Sequence, residues 1–155
     1  GAGVATDGRI AIFGTGGAEH ADDSGSYAVY AVEILPTGGQ LRWVYPLAPG
    51  EKVWDTPAVD RLGRIYFAAS TGFQPAGSAE WPASGGRLVI LDKAGREQAS
   101  AATDSAVLGT VQLSSNLAIA VSVTGEIYQF GSAQRTTSPD LEATGPIRLF
   151  SWRLR

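Results

Sequence analysis

Cysteine is absent from the 155 residues, which excludes a disulfide, a thiolate metal site and a cysteine nucleophile. That absence does not argue against export, since exported bacterial proteins often do without disulfides. Methionine is absent too, and the chain opens on Gly1, Ala2 and Gly3; it reads as a segment of something longer. Histidine occurs once, at His20, and a lone histidine without cysteine removes the usual structural zinc sets. Lysine is confined to Lys52 and Lys93, the other ten of the 12 basic residues being arginine. No apolar run approaches the ~18 residues of a membrane span. Charged residues make up only 17%, the formal net charge is -3, and the basic residues do not cluster. An electrostatic grip on nucleic acid or on an acidic membrane is therefore not expected.

Apolar residues make up 44%, enough for one domain with a real core. Short β-branched and aromatic runs alternate with Gly, Pro, Asp and Ser, the pattern of strands and turns. Strands are expected at 9–13, 27–34, 40–45, 56–60, 64–69, 87–92, 110–114, 117–122, 126–130 and 147–152. No stretch keeps a helical period for three turns with caps. The best helical rival is the Ala-rich 95–109, "GREQASAATDSAVLG", which also contains the strand-like "QASAA".

The strands repeat. "GVATDGRIAIFGTGG" (3–17), "PAVDRLGRIYFAASTG" (57–72) and "TVQLSSNLAIAVSVTG" (110–125) each hold a short strand, a polar turn, an apolar strand and then Thr-Gly or its neighbour. The spacing is about 55 residues from Ile10 to Ile65 and about 54 from Ile65 to Ile119. Four short antiparallel strands per repeat is the unit of a β-propeller blade. The expected fold is thus all-β, with about three four-stranded antiparallel blades forming a partial propeller. The whole chain, 1–155, is one such domain, with repeats near 3–50, 51–105 and 106–155. Long insertions fall between the second and third strands of the first two units, "GGAEHADDSGS" and "FQPAGSAEWPASG", while "VTGE" makes a tight turn there in the third. Residues 131–146 read as an exposed loop, and the last strand could pair with an earlier blade and tie the terminus down.

Candidate site residues lie mostly in the insertions. "GTGG" is followed by a strand rather than a helix, so it lacks the aligned amides of a phosphate-binding loop. Glu19, Asp22 and Asp23 are the candidate calcium ligands, although Asp22-Asp23-Ser24-Gly25 is first of all a turn signal. His20 reads as a solvated loop residue or, beside these acids, as a pH-sensitive interaction residue. Trp81, in a long polar loop, is the candidate for stacking on a partner surface; Trp43 and Trp54 are expected between blades and Trp152 at the terminal strand. Catalysis has little to stand on. A Ser-His-Asp set would have to use His20, the GxSxG elbow is absent, and Asp55 and Asp60 are merely carboxylates close in sequence.

The order of "IAIFGTGGAEHADDSGSYAVYAVEI", "GEKVWDTPAVDRLGRIYFAASTG" and "GGRLVILDKAGR" resembles the C-terminal propeller of type IV pilus tip-associated adhesins, the PilY family. The terminal "RLFSWRLR" is similar to that family's ending, and the resemblance spans residues 3–130 and 147–155. It implies a non-enzymatic, extracellular or cell-surface protein of bacterial pili, a tip adhesin or assembly scaffold. Its partners would be pilins or minor pilins, together with the remainder of a larger propeller chain or another subunit. Two departures matter. The family's calcium loop, D-x-D-x-N-x-D, is missing, because the acids at 19, 22 and 23 break the alternate spacing; no cofactor is implied beyond calcium at those residues. The family ring has about seven blades, within the range that propellers close at, and three cannot close. An alternative is a structural subunit of an extracellular filament, completed by strand or blade pairing in trans. A third reading is an enzyme of quinoprotein ancestry, since "GGRLVILDKAG" also resembles quinoprotein-like repeats.

Overall fold

The computed structural model describes residues 3–6, 8–15, 27–71, 85–114, 117–132 and 147–152, the last six and 130–132 as backbone only. Twelve strands and no helix are found among them. They form three four-stranded antiparallel sheets, each a meander of consecutive strands. Sheet one holds β1 (Val4–Thr6), β2 (Ile10–Gly14), β3 (Ala28–Leu35) and β4 (Gly38–Pro46). Sheet two holds β5 (Ala58–Val59), β6 (Ile65–Ser70), β7 (Gly86–Leu91) and β8 (Glu97–Thr103). Sheet three holds β9 (Gln112–Leu113), β10 (Leu117–Val121), β11 (Ile127–Ser132) and β12 (Ile147–Trp152).

The sheets stack face to face with sheet two in the middle. On one side Ile12, Val29 and Ala31 of sheet one, with Val53 from the connection, meet Ile65, Phe67, Ala69, Val89 and Leu91. On the other, Tyr66, Ala68, Leu88 and Ile90 meet Val107, Val111, Ala118, Ala120 and Tyr128. This sandwich explains the sequence of the middle strands. Every residue of β6 and the last four of β7 are buried, so those strands read as continuous apolar runs instead of alternating ones. Full burial of one Leu, Ile or Phe contributes roughly 1.5–3 kcal/mol before entropy is counted, so the two shared faces are the main source of cohesion.

Three hairpins use one design. Asp60 Oδ1 accepts from the N–H of Leu62 and of Arg64, both at 2.9 Å, and its Oδ2 takes Arg64 Nε at 2.6 Å. Asp92 repeats this with Ala94, Arg96 and Arg96 Nε at 2.8, 3.0 and 2.8 Å. In the third, Ser122 Oγ takes the N–H of Glu126 at 2.9 Å. The fourth residue of each turn is a glycine at positive φ, Gly63 (76°), Gly95 (79°) and Gly125 (84°), where a side chain is strained. The "D-x-x-G-R" signal is thus a side-chain-wired turn.

The helical rival over 95–109 is not realised: Glu97–Thr103, which includes the strand-like "QASAA", is strand β8, paired to β7. Its alternate residues Ala99 and Ala101 pack on the core shared with sheet three, and that burial outweighs alanine's helix preference. The last strand does not reach back to an earlier sheet; β12 pairs along its length with β11 and completes sheet three.

Candidate functional site

Both long insertions leave the stack from the same kind of clasp. Thr15, just after β2, donates its N–H to Ala28 O at 3.0 Å, while its hydroxyl meets Ala28 O at 3.1 Å and Ala28 N at 2.9 Å. Thr71, just after β6, donates its N–H to Gly85 O at 3.0 Å and its hydroxyl to the same oxygen at 2.9 Å. In a meander, loops alternate between the two ends of a sheet. The second loop of each sheet therefore shares an end with the chain connections 47–57 and 104–111. Glu19, His20, Asp22, Asp23 and Trp81 fall in the insertions and lie outside the described residues. Among the described residues, no group of three His, Cys, Asp or Glu could hold a metal, and no helix is long and apolar enough to cross a membrane.

The junction between sheets one and two is built from charge and aromatic surface that pattern reading missed. Lys52 is only 4% exposed. Its ammonium lies 5.2 Å from the Tyr27 ring centre and 5.9 Å from that of Trp54, a cation–π arrangement. Its backbone exchanges hydrogen bonds with Ser70 at 3.0 and 2.9 Å, an isolated bridge from the connection to β6. Next to it, Arg87 forks onto Glu51, Nε to Oε1 at 2.7 Å and Nη2 to Oε2 at 3.0 Å. Its Nη1 reaches Tyr45 OH and Glu97 Oε2, both at 3.1 Å. The Tyr45 hydroxyl also donates to Glu97. This network ties sheet one (Tyr45), the connection (Glu51) and sheet two (Arg87, Glu97) together.

The electrostatics follow from those bonds. Burial opposes the charge on Glu51, but the Arg87 fork and the Ala48 N–H overcome it and hold the carboxyl below its ordinary value. Glu97 is lowered by the Ser100 hydroxyl and then by Tyr45, against some desolvation. Tyr45 is raised, by burial and then by Glu97, and Tyr128 likewise by burial and then by Glu126. Tyr66 is pushed up to about 12, mainly by burial, with Asp60 adding and Arg64 opposing. Each of these groups moves away from neutrality, so none of them is tuned for proton transfer near pH 7. Asp55 and Asp60 serve separate structures, the former bonded to Thr56 and Thr110 and the latter wiring its own turn.

At the hairpin end, sheets one and two leave a cleft of about 370 Å³ whose lining includes Ile10, Ile12, Trp43, Val59, Ile65 and Lys93. Trp43 donates from Nε1 to Lys93 O at 3.2 Å, and a Cβ on Gly95 would strike its ring. Trp43 therefore stands between sheets, as expected. Trp54 is partly buried under Lys52, and the Trp152 backbone pairs with Ile127.

These features define an all-β protein of stacked antiparallel meanders. No protein-family model matches the chain, and no curated protein matches it.

Proposed function

We propose that this chain is a non-enzymatic scaffold of an extracellular, pilus-associated protein, its three sheets serving as blades of a β-propeller and its insertions 17–26 and 73–86 carrying recognition. The observation that supports this reading is that both insertions spring from equivalent threonine clasps at one end of stacked sheets. The stacked sheets would then be the scaffold and the insertions the binding surface, the usual division of labour. Pilins or minor pilins are the proposed partners, and the likeness of the chain's motif order to PilY-type adhesins is what suggests them. His20 and Trp81 would make contacts, and Glu19, Asp22 and Asp23 would hold any calcium the loop takes.

The test replaces each insertion in turn with a short glycine turn of the Ser122–Glu126 kind. Binding to purified pilin is then measured by surface plasmon resonance, with circular dichroism as the control for folding. The expected result is an unchanged β spectrum with binding reduced at least tenfold. Full binding by both loop-replaced variants overturns the reading. A second reading, a filament subunit completed in trans, is favoured by the apolar side chains on the outer faces considered next.

A further inference from the structure

The face of sheet one that points away from sheet two carries Val4, Phe13, Tyr30 and Val44 in one cross-strand row. Thr6, Ala11, Val32 and Leu41 form the next row. Phe13 and Tyr30 stack with ring centres 5.6 Å apart. Val4, Leu41 and Val44 are 55%, 56% and 43% exposed. An antiparallel sheet that faces water on one side normally alternates apolar-in with polar-out. Here the outward rows hold no charged side chain, although the same strands place Glu33 and Arg42 elsewhere.

Sheet three also carries an apolar patch on its far side, although the register places Gln112, Gln129 and the Arg148 position on that side as well. Ala118 and Ala120 point at sheet two, which turns Leu117, Ile119 and Val121 the other way; Val121 is 53% exposed and pairs with Ile127. In sheet two the corresponding faces are both covered. Ile65, Phe67 and Ala69 receive sheet one, while Tyr66 and Ala68 receive sheet three. The free face of sheet one thus corresponds to the face of sheet two that receives sheet one. The free face of sheet three corresponds to the face of sheet two that receives sheet three. The two uncovered faces stand in the relation of consecutive members of one stack.

We infer that a second copy of this chain docks head to tail, the far face of its sheet three covering the outer face of sheet one. The contact is heterologous, so it either closes a ring or continues as a fibre. Apolar side chains on both faces, Phe13, Tyr30 and Val44 on one and Ile119, Val121 and Ile127 on the other, repeat the chemistry of the two junctions inside the chain. The inference rests on the stacked-sheet reading and is independent of pilin recognition.

The experiment is light scattering after size exclusion on the 155-residue chain of 16.1 kDa and on Val44→Arg, Val121→Arg and Val123→Arg. Val123, 40% exposed in the turn after β10 and outside the paired strands, is the control for an added charge. The unaltered chain and Val123→Arg are expected to associate, and Val44→Arg and Val121→Arg each to be monomers with an unchanged circular dichroism spectrum. Mixing those two monomers is the decisive step. Each keeps one good face, so the mixture gives a capped heterodimer of twice the monomer mass. A monomeric unaltered chain overturns the inference, as does association insensitive to both face variants. If the mixture stays monomeric, the pairing is not head to tail and the inference is equally overturned. Pilin binding by the monomeric variants is measured separately, so failure here and failure of the recognition reading are told apart.

Discussion

The two junctions inside the chain are made by different chemistry. Between sheets one and two, Gly14 ends β2, and a Cβ there would lie 2.4 Å from Val53 Cβ; the strand end is bare so that a valine can close on it. Between sheets two and three, Ser70 ends β6, and its hydroxyl both donates to Val107 O at 2.9 Å and accepts from Val107 N at 3.0 Å. The first junction adds the Arg87 network. The second adds mainly hydroxyl groups around one carboxylate, Ser105 and Tyr128 donating to Glu126 Oε2 at 3.0 and 2.6 Å. One geometric task, seating a connection valine against the end of the second strand, is thus solved once by removing atoms and once by adding a hydrogen bond. Equivalent positions in a repeat are defined by the space they must fill, and residue identity follows from the neighbour.

The largest expected effect is at the charged junction. Arg87→Ala leaves Glu51, itself 6% exposed, without its main partner. Breaking a buried pair costs about 3–5 kcal/mol, and the lower end, roughly 3 kcal/mol, applies because the Arg87 side chain keeps 23% exposure. Urea denaturation checks this. The same junction is acid-sensitive. Glu51 and Glu97 have folded values below their ordinary ones, so their contribution is complete above the ordinary carboxylate range and is lost as pH falls through the lower folded values. Hydrogen exchange at the Val53 amide, bonded to Thr15 O at 3.3 Å, is expected to quicken below about pH 4.5 relative to its rate in Arg87→Ala, which already lacks the pair.

A smaller effect separates the two valine seats. Gly14→Ala overpacks Val53 and is expected to cost about 1–3 kcal/mol. Adding Val53→Ala should recover at least about 1 kcal/mol as coupling in a double-mutant cycle. Ser70→Ala strands both backbone groups of Val107 and costs about 1–3 kcal/mol, with no recovery from Val107→Ala, because the loss is of hydrogen bonds. Equal coupling in both cycles would mean that the seats are not chemically different.

The smallest effect is alkaline. Tyr66, on the face toward sheet three, holds its proton up to about 12. Because its folded value is raised above 10, its contribution is intact below pH 10 and declines as pH rises through about 12. Ultraviolet titration of phenolate in the native protein and in Tyr66→Phe isolates this step. A difference spectrum centred near pH 10 would place Tyr66 in solvent.

Much of this architecture is legible in the chain, and particular residues explain why. "DRLGR" and "DKAGR" announce their hairpins because an aspartate and a glycine at that spacing wire a turn locally. The insertions announce themselves by interrupting apolar strands at the same point. Sheet two reads as uninterrupted apolar sequence because it is covered twice. Strand β8 was ambiguous because alanine suits a helix and only the neighbouring sheets decide otherwise. The charged network was invisible: Arg87 and Glu51 are 36 residues apart, and Tyr45 and Glu97 are 52 apart. No local period marks such a pair. Nothing in the sequence marks Lys52 as covered, because the rings that cover it come from Tyr27 and Trp54 on two different segments.

Each sheet is assembled only from strands adjacent in sequence, and this sets the order in which the chain can acquire structure. Every ladder closes over a short loop or a single insertion, so contacts within a sheet are local and quickly reached. Sheet one is complete at Pro46, before any residue of sheet two is required. A nascent chain can therefore organise one meander at a time, each finished sheet offering a template face to the next. The vulnerable moments are those at which a strand waits as an open edge. A chain halted after Leu91 leaves β7 uncovered, whereas one halted after Thr103 already carries two full meanders and the core between them.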